Sequence, residues 1–93
     1  MIKRVVVTGM AGITSLGEDT ETIMQRMLAG VSGIRYMHEW DRYEDLRTRL
    51  GGPVEHFVEP AHFNRKVKRG MFRFALLSTI TAERALQDAG LLG

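Results

Sequence analysis

The sequence has no cysteine, which rules out disulfides, thiolate metal sites and a thiol nucleophile anywhere in its 93 residues. It has only two prolines, Pro53 and Pro60. Long hydrophobic runs are missing as well. The longest mostly apolar stretch, residues 72–80, is interrupted by Arg73, Ser78 and Thr79 and cannot cross a bilayer. Lys3 and Arg4 precede only three apolar residues before Thr8, far short of the apolar region of a secretory signal. No repeat, linker or low-complexity segment is present. The expectation is a soluble, cytoplasmic protein, with 44% hydrophobic and 26% charged residues arguing against disorder.

The opening stretch is the most informative. Val5, Val6 and Val7 run into a turn punctuated by Gly9, Gly12 and Gly17. A short β-branched run bounded by glycines predicts a first strand over residues 2–8, buried on both faces as in α/β proteins. A helix is predicted to start at Asp19 or Thr20, either of which is a good N-cap, with Glu21 in its first turn. Its apolar face carries Ile23, Met24, Met27 and Leu28, and Gly30 stops it. Residues 34–46 read as an irregular ordered surface loop with room for a helical turn, anchored by Ile34, Tyr36, Met37 and Trp40. A weak second strand is expected over residues 48–54, at an edge because of Pro53. Pro60 opens a short turn.

The last predicted element is a long helix beginning between Asn64 and Gly70, with Asn64 as a possible N-cap, and ending near Ala89, with Gly90 closing it. Its first half is apolar nearly all round, which predicts a buried helix. Strand, helix, loop, weak strand and long helix make the opening of an α/β layer structure, incomplete as a domain. Two strands cannot cover such a helix, so its other partners are expected from residues outside this stretch or from another chain.

Charge is unevenly distributed. Residues 1–64 carry seven Lys/Arg against nine Asp/Glu, whereas residues 65–73 carry Arg65, Lys66, Lys68, Arg69 and Arg73 with no acid. Such a patch suits an acidic protein partner, nucleic acid, or simply a solvated helix start. Cations at a helix N-terminus oppose its dipole, a small cost that favours a use for them. The glycine turn lacks a phosphate-loop spacing, and Glu18 stands where such a loop needs lysine, so it reads as a structural turn. His38, His56 and His62 share no helical spacing and suggest neither a metal site nor a triad. No cofactor is expected. Trp40 is the single tryptophan and reads as a pin holding an irregular segment.

Four motifs in register resemble a known family. Arg4-Val5-Val6-Val7-Thr8-Gly9-Met10 with Gly12-Ile13-Thr14-Ser15-Leu16-Gly17 is similar to the N-terminus of the 3-oxoacyl-[acyl-carrier-protein] synthases, the β-ketoacyl synthase II-type condensing enzymes. Gly30-Val31-Ser32-Gly33-Ile34, then Arg65-Lys66 with Arg69-Gly70-Met71, then Ala85-Leu86-Gln87-Asp88-Ala89-Gly90-Leu91 continue the likeness in order. The Trp40–Tyr43 region and Phe72-Arg73 look like a divergent branch, similar to condensing enzymes of aryl-polyene-type clusters.

The resemblance implies a thiolase-like fold of two α/β halves, with residues 1–93 forming the first part of the N-terminal domain. It implies a homodimer that condenses malonyl-carrier protein with an enzyme-bound acyl group, in fatty acid or polyene biosynthesis. The family's catalytic cysteine and histidines lie beyond position 93, and none of His38, His56 or His62 matches them, so this stretch alone is expected to be inactive. One role carries over: Arg65, Lys66, Lys68 and Arg69 resemble the surface that meets the acidic acyl carrier protein. Gly70 stands where the family often has a further basic residue. The competing expectation is a noncatalytic module that binds an acidic protein or nucleic acid through residues 65–73. A purely structural fragment is a third. Neither nucleic acid nor membrane is expected as a partner of a synthase.

Overall fold

The computed structural model describes residues 2–92. They form two compact units: Ile13–Phe57, and the N-terminal stretch to Gly12 together with the chain from Val58 onward.

In the Ile13–Phe57 unit, the glycine turn closes on itself. Thr14 N–H donates to the Gly17 carbonyl at 2.9 Å, and Gly17 N–H donates back at 3.2 Å. Gly17 has φ +156°, a conformation that favours glycine. Helix α1, Thr20–Leu28, follows with Asp19 as its N-cap. Its Oδ1 accepts the Thr22 N–H at 2.7 Å, supplying one of the partners that a helix start lacks. The helix ends as predicted. Gly30, at φ +74°, donates to the Met27 carbonyl while Val31 N–H reaches the Arg26 carbonyl, a Schellman closure.

Residues 34–46 contain more order than their pattern suggests. Arg35–Tyr36 is a strand, β1, paired antiparallel with β2, Leu50–Gly51. The expected strand over residues 48–54 is therefore only two residues long, and its partner lies in the segment read as loop. Two-residue strands leave no alternation to detect. A 3₁₀ turn, His38–Trp40, sits between them. Met37 is the buried anchor of this unit, while Ile34 and Tyr36, also expected as anchors, are exposed. A Cβ on Gly51 would come within 2.9 Å of the Trp40 ring and 3.1 Å of Met37 Cγ. Trp40 thus lies directly against β2, in the pinning role expected of it. Asp41 ties the rest together by accepting from the Tyr36 hydroxyl and pairing with Arg49 Nε at 3.2 Å.

In the other unit, the predicted long helix is two helices. Helix α2, Arg65–Lys68, is capped by Asn64 Oδ1, which accepts the Val67 N–H at 2.9 Å. Helix α3 runs Arg73–Asp88. Met71 N–H folds back onto the Lys68 carbonyl at 2.9 Å and closes the first helix before the second starts. Gly70 lies in that break, where a residue without a side chain does little to favour helix. The C-terminus matches expectation: Gly90 at φ +74° and Leu91 N–H on the Leu86 carbonyl repeat the Schellman closure.

Two further expectations are corrected. Residues 2–8 form no strand among the described residues, and Val5, Val6 and Val7 are exposed. A strand exists only through pairing, and no described segment offers this one an edge. Nor is α3 a buried helix here: Ile80 is its one buried residue, with Phe72 and Phe74 88% and 83% exposed. What α3 does hold is the N-terminal stretch. Met10 N–H donates to Asp88 Oδ2 at 3.0 Å, and the backbone at Gly9 approaches so closely that a Cβ there would meet the Ala89 nitrogen at 2.5 Å and the Ala85 carbonyl oxygen at 2.6 Å.

Gly9→Ala is therefore expected to destabilise the protein by about 1–3 kcal/mol, since backbone atoms cannot step aside as a side chain would. Chemical denaturation measures this, and an unchanged midpoint would show that the close approach is not maintained.

Candidate functional site

The basic run occupies α2 and its C-cap. Arg65, Lys66 and Arg69 are exposed, and Lys68 is half-buried. Because α2 is only four residues long, Arg65, Lys66 and Lys68 also occupy its last turn, where cations are favoured. The dipole argument for a use of these cations therefore has little force, and their clustering has to carry the case.

What holds α2 in place lies outside the run. Phe63, just before the cap, is buried at 7% exposure and receives the His62 ring edge-on at 4.9 Å. His62 Nε2 meets Glu83 Oε2 at 2.8 Å, and Arg84 Nη2 donates to the Val58 carbonyl at 3.0 Å. Both partners project from the middle of α3. Phe63 N–H closes the Pro60 turn at 2.9 Å, as the proline suggests. Lys68 Nζ pairs with Glu59 Oε2 at 2.7 Å. The patch thus has an acidic neighbour six residues upstream of Arg65, which the acid-free run gave no sign of. No carboxylate lies within ion-pair distance of Arg65, Lys66 or Arg69 among the described residues.

The Ile13–Phe57 unit contains a cleft of about 550 Å³ bordered by the glycine turn, the start of α1, and residues 32–35 and 53–56. It makes a poor anion site. The amides of Thr14 and Gly17 bond to each other's carbonyls, and Leu16 N–H donates to Thr14 Oγ1 at 3.0 Å. Arg26 donates to the Leu16 carbonyl, and Arg35 pairs with Glu55 at 2.8 Å. Glu18 and Asp19 add negative charge to its wall. The turn is structural, in keeping with its spacing. His56 lines this cleft while His38 approaches Asp41 at 4.0 Å, and no group of three His, Asp or Glu capable of holding a metal occurs among the described residues. No helix among them is long and apolar enough to cross a membrane.

The sequence matches the family described as "Beta-ketoacyl synthase, N-terminal domain" over residues 2–93. The chain belongs to the β-ketoacyl synthase family. It is 35% identical over 89 residues to the 3-oxoacyl-[acyl-carrier-protein] synthase 2 of Staphylococcus aureus (strain COL), across 96% of this chain and 21% of that protein. Against the chloroplastic 3-oxoacyl-[acyl-carrier-protein] synthase II of Arabidopsis thaliana it is 36% identical over 88 residues, across 95% and 16%. The crystal structure of a beta-ketoacyl synthase from Burkholderia phymatum STM815 superposes with a TM-score of 0.87 at 42% identity, across 99% of this chain and 22% of that one.

This β-ketoacyl synthase chain therefore spans about a fifth of the length of the relatives it matches. It has the conformation of a partial thiolase-like α/β structure, and the four motifs in register pointed to the correct family. The exposed valines and phenylalanines belong to a chain whose relatives are several times longer.

The start of α1 gives this synthase segment a defined acid response. The Thr22 backbone N–H, helped by the Thr22 hydroxyl, holds the Asp19 carboxyl below its usual value of 3.8. A carboxyl depressed in the folded state stabilises that state above its unfolded pKa, and the contribution is lost as pH falls through the folded value. Amide protection in the first turn of α1 should therefore decline on acidification below about pH 4. Asp19→Asn, which keeps a capping oxygen without the charge, should flatten that response. Hydrogen exchange across residues 19–24 reads it, and identical pH profiles for the two proteins would contradict the assignment.

Proposed function

We propose that this chain is the opening segment of a 3-oxoacyl-acyl-carrier-protein synthase, part of its N-terminal domain. The enzyme would be an acyltransferase of fatty acid or polyene biosynthesis, cytoplasmic and homodimeric. The observation that carries this reading is the match along nearly the whole chain: 42% identity with a TM-score of 0.87 across 99% of it. Relatives of about 35% identity bear the name of that activity. The reaction is decarboxylative condensation of malonyl-carrier protein with an acyl-enzyme thioester. It needs a nucleophile, and with no cysteine in these residues the thiolate must come from the rest of the enzyme.

The contribution of this segment is positional. Helix α3 supports α2, and α2 with its cap presents Arg65, Lys66, Lys68 and Arg69 as a docking surface for the acidic carrier protein. Charge complementarity of this kind speeds encounter and fixes orientation more than it adds raw affinity. The alternative, a stand-alone noncatalytic module that binds an acidic protein or nucleic acid through residues 65–73, has less support. Phe72 is exposed, but it is the N-cap residue of α3, and the chain belongs to a family of condensing enzymes.

In the full-length synthase, Lys66→Glu with Arg69→Glu should weaken carrier-protein binding by about tenfold or more at low salt. The difference should shrink as ionic strength rises and the Debye length falls. Titration calorimetry at two salt concentrations measures both, and unchanged low-salt affinity would remove the docking role.

A further inference from the structure

We infer that Glu59 limits the strength of this docking surface by withholding Lys68 from it, an inference that rests on the docking role proposed above. The four basic residues are not equivalent. Arg65, Lys66 and Arg69 are exposed. Lys68 is half-buried, with its ammonium nitrogen 2.7 Å from Glu59 Oε2. An approaching acidic partner meets three open cations and one neutralised pair.

The pair is built in rather than formed by chance. Glu59 lies between two fixed points of backbone: the Val58 carbonyl accepts from Arg84 at 3.0 Å, and the Pro60 carbonyl accepts from Phe63 N–H at 2.9 Å. Phe63 is buried, so the segment carrying Glu59 is fastened on both sides. On the other side, Asn64 caps the helix that carries Lys68. Glu83 is the other nearby acid of this unit described in contact with the α2 platform, and it is matched to His62 at 2.8 Å. Glu59 is thus the carboxylate positioned to compete with a partner for a lysine of the patch. Both side chains are more than a third exposed, so the pair contributes little to folding stability, and its consequence falls on recognition.

The test uses the full-length synthase, its acidic acyl carrier protein, and calorimetric Kd values at low salt. Glu59→Gln should tighten binding by about two- to fivefold, the scale of a single exposed charge pair. Glu59→Gln combined with Lys68→Ala should return Kd to the wild-type value, because the gain comes from the released lysine. An unchanged or weaker Kd for Glu59→Gln overturns the assignment. So does a gain that survives Lys68→Ala, since Glu59 would then act by its own charge. The Lys66→Glu/Arg69→Glu protein separates the two levels. If it binds normally, the docking role itself fails and takes this inference with it. If it binds weakly while Glu59→Gln matches the wild type, only the role of Glu59 is lost.

Discussion

The segment that leads into the basic surface is fastened to α3. The helix carries Ile80, the fully buried side chain among the described residues. From its middle, Glu83 holds His62 and Arg84 holds the Val58 carbonyl, which fixes the segment leading into α2. At its end, Asp88 captures the Met10 amide while glycine at position 9 lets the N-terminal stretch lie against Ala85 and Ala89. A negative charge at a helix C-terminus is unfavourable by a few tenths of a kcal/mol or more. The bond to Met10 gives Asp88 a use that offsets it. These polar tethers do much of the work because little apolar surface is enclosed.

That scarcity is itself the main physical fact about these residues. Among the described residues, Met37, Phe63 and Ile80 are the buried hydrophobic side chains, whereas Val5, Val6, Val7, Phe72 and Phe74 are open to solvent. Monomeric proteins seldom leave so many large apolar side chains uncovered together with so few buried. The chain spans about a fifth of the length of the relatives it matches, and in the reading proposed above the covering surfaces come from the remainder of the enzyme. The basic platform lies in these residues, and they contain no cysteine.

Short-range signals were legible in the sequence and longer-range ones were not. Asp19, Asn64, Gly30 and Gly90 were identifiable as helix ends because a cap acts on backbone groups two to five residues away. The break at Gly70 was hidden because Asn64 and the residues after Gly70 each offered a start for the same helix. The β1–β2 pair was hidden because each strand has two residues. At the candidate site, the cluster of Arg65, Lys66, Lys68 and Arg69 was plain from composition. Its partnering was not, because the Glu59–Lys68 and His62–Glu83 contacts join residues 9 and 21 positions apart. The expected first strand shows the same limit from the other side. Its β-branched residues favour a strand, but a ladder needs a neighbour, which the described residues do not supply.

The central claim is that this chain is the opening segment of a synthase whose remaining residues cover its exposed apolar surfaces. Hydrogen exchange at residues 4–8 of the full-length protein tests it most directly. The account predicts strong protection of the Val5, Val6 and Val7 amides, as expected of a paired interior strand. Exchange at the rate of an unstructured peptide would contradict it.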